Sequence, residues 1–255
     1  MTAPAPPPTN ELYCNQRRLG PPLFAALRGM LDSPQPPEIV GFLEQGSVGV
    51  ENQSCAIASM ATAINLLLGK PVLSLETTPK IVRKLLEYHN KFTVLNADGW
   101  QPWQVFNRAG PRYHSLATVA QACGLDARVV WYPLPNSPVI LPFQAVLRHI
   151  HDGGVASVSV RNKFAGEVTK SSYSTNDTVG HIITICRVSE ASDPNPQNWT
   201  LEVADPVADI NAPPTMTIPA DTLLRYSMAG TRTVRGVIYD ARAGMLDDFA
   251  PFQPP

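Results

Sequence analysis

The stretch Asn52-Gln-Ser-Cys55-Ala-Ile-Ala-Ser-Met-Ala-Thr-Ala-Ile-Asn-Leu-Leu-Leu-Gly69 decides how the rest of the chain is read. From Cys55 to Leu68 it is apolar on nearly every side, and Gly69 supplies a C-terminal stop. A helix that is apolar all round belongs at the centre of a molecule. The polar, turn-prone run before it places Cys55 on the first turn. There the unpaired N–H groups and aligned peptide dipoles favour negative charge, so a thiol reacts as thiolate more readily than a free one. Cys55 is therefore a candidate nucleophile; with nothing facing it, it is an ordinary small buried hydrophobe.

Working outward, the first half reads as helices and the second as strands. Leu23, Leu27 and Leu31 repeat at helical spacing over 22–31, and further helices are expected over 79–90, 113–122 and 141–151. The last two stop at Cys123-Gly124 and Asp152-Gly-Gly154. Then Val155-Ala-Ser-Val-Ser-Val160 alternates like a strand. So do His181-Ile-Ile-Thr-Ile-Cys-Arg-Val188, Trp199-Thr-Leu-Glu-Val-Ala204 and Val234-Arg-Gly-Val-Ile-Tyr239. This order predicts an α+β fold, an N-terminal helical part carrying Cys55 packed on a C-terminal antiparallel sheet. One domain is expected over 11–245, between flexible tails at 1–10 and 246–255.

Composition narrows the function classes. The 255 residues are 44% apolar and 16% charged with net charge −1, which is globular and points away from a nucleic-acid partner. No apolar run reaches the roughly 18 residues of a membrane span, so no membrane partner is expected. The opening residues lack the basic start and apolar core of a secretory signal, and a cytoplasmic location is expected. The four cysteines, Cys14, Cys55, Cys123 and Cys186, form no CxxC pair, against a zinc site or a disulfide framework. The 26 prolines mark tails and rigid loops. No cofactor or metal is expected; His149 and His151, two apart at a helix end, point to different faces.

Cysteine catalysis needs a thiolate, an imidazole that moves the proton, and a group that holds the imidazole in one tautomer. His181 opens a strand after Gly180, and Asp205 closes the next strand before Pro206. Antiparallel neighbours would bring the start of one beside the end of the other, so Cys55, His181 and Asp205 form a coherent candidate triad. Asp209 competes with Asp205, which as part of an Asp-Pro pair also suits a plain turn role.

Cys55-Ala-Ile-Ala-Ser-Met, Asn65-Leu-Leu-Leu-Gly69, Asp152-Gly-Gly-Val-Ala-Ser-Val, Gly180-His-Ile-Ile-Thr-Ile and Val203-Ala-Asp-Pro206 occur in an order that resembles the papain-like cysteine peptidases of the C39-like branch. Phytochelatin-synthase-like enzymes are relatives of that branch. The resemblance covers about residues 40–240. It implies a papain-like fold and a thioester at Cys55, with His181 as base and acid and Asp205 as its orienter. The substrate would be a peptide or amide. The acyl group would pass to water in a peptidase or amidase, or to an amine or thiol in an acyltransferase or transpeptidase. An inactive papain-like binding module is the non-enzymatic alternative.

The chain departs from the family in two places. Ala56 follows the cysteine where relatives carry Gly, and Gly49 stands where they carry the oxyanion-stabilising glutamine. Gln45, Gln53 and Asn52 are the side-chain amides available for that role, beside the Cys55 backbone N–H. Trp100 and Trp103 are expected to wall a substrate cleft or to anchor a long loop, with Gly180 at the substrate edge. The polar run 163–178 reads as a lid or a connector. Cys186 and Cys123 are expected to be structural, and Cys14, near the tail, to be exposed.

Overall fold

The computed structural model describes residues 10–16, 18, 55–73, 113–130, 143–170, 180–209, 211–228 and 235–246. The expected helices at 22–31 and 79–90, and Asn52, Gly49, Gln45, Gln53, Trp100 and Trp103, lie outside them.

Helix α1 (Cys55–Leu68) is the central element, buried continuously from Ala56 to Asn65. It ends as the sequence predicts. Gly69 takes φ 63°, and the N–H groups of Gly69 and Lys70 return to Leu66 O and Asn65 O at 3.3 and 3.2 Å, a Schellman closure. Helix α2 (Tyr113–Ala122) closes identically at Gly124, φ 85°, with Leu125 N–H on Ala120 O. In α3 (Phe143–His151), Gly154 N–H bonds His149 O in the same pattern.

Among the described residues the strands are β1 (Asp126–Val129), β2 (Val155–Arg161), β3 (Gly180–Glu190), β4 (Thr200–Ala204), β5 (Met216–Pro219) and β6 (Gly236–Asp240). They form one antiparallel sheet in the order β1-β6-β2-β3-β4-β5. The fold is α+β, as expected, but two strands were missed. The helix-then-strand order is also imperfect, because β1 precedes α3. Both β1 and β5 are four residues long, too short for an alternation signal.

The sheet is covered on both faces. Along β2, Ala156, Val158 and Val160 belong to one apolar cluster with α3, while Val155 belongs to another with α1 and α2. Along β3, Ile182 joins α1, and Ile183 and Ile185 face the other way. The second cluster is closed by α4 (Lys163–Glu167) and α5 (Ala220–Tyr226), through Phe164 and Leu223. The expected single helical layer is thus two layers.

Other expectations shift locally. The run 163–178 is not simply a loop, since it opens with α4. Cys14 is half-buried, its thiol donating to Leu73 O at 3.3 Å, not exposed. Leu246, placed in the tail from sequence, is fully buried, and its N–H donates to Asp126 Oδ2 at 2.9 Å. No helix among the described residues is long and apolar enough to cross a membrane.

Candidate active site

The site is built where α1 and β3 begin together. Ser59 Oγ donates to Ile182 O at 2.9 Å, and Thr184 Oγ1 donates to Ser59 O at 3.0 Å, which lays the helix along the strand. One helical turn back from Ser59 is Cys55; one residue back from Ile182 is His181. The two side chains come close enough there for Cys55 to help raise the His181 pKa.

Asp205 arrives from the neighbouring strand. Ala204 pairs with Thr184 at the end of β4, so the next residue stands beside the start of β3. His181 Nε2 donates to Asp205 Oδ1 at 2.7 Å, with the side chains 2% and 1% exposed. A carboxylate only accepts, so this contact fixes the proton on Nε2 and leaves Nδ1 as the nitrogen for the thiol. Asp205 is held in turn by Val207 N–H on Oδ1 at 3.0 Å and by Thr169 Oγ1 on Oδ2 at 2.5 Å.

Charge follows from this geometry. Burial alone would lower the His181 pKa; the Asp205 charge, their hydrogen bond and Cys55 outweigh it and raise it to about 10. Burial alone would raise Asp205, but His181, Thr169 and the Val207 N–H hold its carboxyl below the usual range. Imidazolium and carboxylate are thus stabilised together. The other cysteines are set apart: burial pushes Cys14 up to about 12 and raises Cys123 and Cys186. Those thiols are held in the unreactive form.

Two neighbours were not singled out from sequence. Thr169 follows α4, within the polar run before His181, and its hydroxyl is the second side chain on Asp205. The Ser/Thr richness of that run was the available signal, but it does not pick out one position. Tyr113 opens α2, buried, its phenol near Ser159 and within the field of Cys55. The Arg235 guanidinium lies 5.2 Å from its ring centroid.

Other candidates fall elsewhere. Gly180 opens β3 opposite Arg161, and a Cβ there would meet only Ser159 Oγ at 3.5 Å and Met228 Cε at 3.8 Å. Space therefore does not demand glycine. Asp209 lies past the turn, where its carboxylate accepts from Asn211 N–H at 2.9 Å. His149 is buried against Tyr239 O at 3.0 Å, whereas the His151 side chain is half exposed. No protein-family model matches the chain, and no curated protein matches it.

Proposed function

We propose that this chain is a papain-like cysteine enzyme of the C39-like kind, a peptidase or amidase acting through a thioester on Cys55. The observation that carries the reading is the buried His181–Asp205 pair at 2.7 Å, with Cys55 at a helix start on the same imidazole. The Cys55 thiolate attacks the carbonyl carbon. The His181 imidazolium gives its Nδ1 proton to the departing amine as the C–N bond breaks, leaving the thioester. Neutral His181 then takes a proton from water, whose oxygen attacks the thioester, and returns that proton to sulfur as the acid leaves. Asp205 holds the ring in one tautomer throughout and stabilises its charge. The Cys55 backbone N–H, with a side-chain amide from Gln45, Gln53 or Asn52, would stabilise the oxyanion.

Acetylation by p-nitrophenyl acetate tests this. The expected result is a burst with the acetyl group on Cys55 in the mass spectrum, absent in Cys55→Ala and about 10²-fold slower or more in His181→Ala. Added amines that divert the acetyl group would move the assignment to an acyltransferase. Acetylation spread over lysines, with no Cys55 burst, would leave a binding module without catalysis.

A further inference from the structure

The segment 11–16 touches both sides of the candidate triad without supplying a reacting group. Toward α1, Cys14 N–H donates to Thr62 Oγ1 at 3.0 Å, and Asn65 Nδ2 donates to Leu12 O at 3.3 Å. Toward β4, the Tyr13 phenol lies within the field of the Glu202 carboxylate. Beyond β4, Gln16 N–H donates to Pro206 O and Asn15 Nδ2 to Ala208 O, both at 2.9 Å. These two carbonyls flank Val207, whose N–H is the backbone donor on Asp205 Oδ1.

A cavity of about 640 Å³ lies between these parts, lined by Tyr13 and Asn15, by Ser59 and Thr62 of α1, and by Pro206 and Asp209 of the turn. The turn borders this cavity on one side, with Val207 itself fully buried. The turn's position depends on discrete hydrogen bonds, which hold geometry only while each donor is present.

We infer that the segment 11–16 is a strap that fixes the Asp205 turn relative to the Cys55 helix, with Asn15 as a positioning residue for the His181–Asp205 pair. The catalytic consequence rests on the function proposed above; the positioning does not. Loss of the Asn15 donor releases the Ala208 carbonyl, the Val207 N–H drifts from Asp205, and the carboxylate loosens its hold on the imidazolium.

The test is Asn15→Leu, similar in size but without a donor, read by NMR titration of the His181 ring and by iodoacetamide alkylation of Cys55 at neutral pH. The His181 midpoint should fall by about one pH unit, and Cys55 alkylation should slow as the imidazolium is held less firmly in place. Asn15→Gln, which keeps the amide, should restore most of both. Ile150→Val, in the cluster across the sheet, should move neither, even where it lowers Tm equally. An unchanged His181 midpoint in folded Asn15→Leu, or an equal fall in Ile150→Val, overturns the inference. If Asn15→Leu does not fold, Asn15→Ala is read in the same way. Should wild-type Cys55 prove unreactive while the His181 midpoint still follows Asn15, the catalytic proposal falls and the strap stands.

Discussion

His181 keeps its charge inside the protein because Asp205 stands 2.7 Å from Nε2 and is itself held by Thr169 and the Val207 N–H. Asp205→Asn retains an oxygen that accepts from Nε2 but removes the charge. The His181 midpoint should therefore fall from about 10 toward its ordinary 6.5. Acylation of Cys55 at neutral pH should slow by about tenfold to a hundredfold, a fraction of a full general acid–base contribution. NMR titration with burst kinetics checks both; an unmoved midpoint would show that the carboxylate charge is not what supports the imidazolium. Cys55, His181 and Asp205 were legible because each sits at the end of a strongly patterned element. Thr169 was not, because a hydroxyl in a polar run carries no periodicity, and its role appears only when α4 brings it to Asp205.

At the level of elements, α1 is anchored by one buried amide as well as by its apolar surface. Asn65 is fully buried; its Nδ2 donates to Leu73 O at 2.9 Å and its Oδ1 accepts from Leu73 N–H at 2.8 Å. Asn65→Leu would strand the Leu73 N–H and leave the Leu73 carbonyl only the weak Cys14 thiol donor, at about 1–3 kcal/mol for each group. Urea unfolding should show a loss of about 2–5 kcal/mol with a similar slope; a loss below about 1 kcal/mol would mean that water or a shift of Leu73 replaces the bonds. The helix stops at Gly69, Gly124 and Gly153 could be read in advance because glycine after an apolar periodic run has one common use. Strands β1 and β5 could not, since four residues are too few for an alternation. In β2, Ser157 and Ser159 are buried along with the apolar residues they alternate with. The close β2–β6 approach demands glycine at 236, where a Cβ would lie 1.9 Å from the Ser157 backbone oxygen.

Across the whole molecule, a sheet covered on both faces buries titratable groups that tie stability to pH. His181 has a folded pKa raised to about 10 against 6.5 unfolded, so its contribution is complete below about 6.5 and is lost as pH climbs toward 10. Asp205, with its pKa lowered from 3.8, contributes above that value and loses its contribution in acid. His149, lowered mainly by burial, binds protons more readily when unfolded, so stability also falls as pH drops below about 6.5. Thermal unfolding followed against pH should therefore give a maximum Tm near pH 5–7. The alkaline decline should flatten in His181→Ala even as that variant loses Tm overall from its unpaired Asp205. A decline of unchanged steepness in that variant would remove His181 as its source. The two-layer cover was not legible, because a strand alternating Val with Ser reads as buried on one face only.

The central claim is that Cys55 is an activated nucleophile paired with His181. The most direct measurement is the rate of iodoacetamide alkylation at each cysteine, resolved by mass spectrometry from pH 5 to 9, in wild type and His181→Ala. The predicted result is Cys55 modified at least about tenfold faster than Cys14, Cys123 and Cys186 near neutral pH, with that advantage lost in His181→Ala. Uniformly slow labelling of all four cysteines, or a Cys55 rate indifferent to His181, would contradict it.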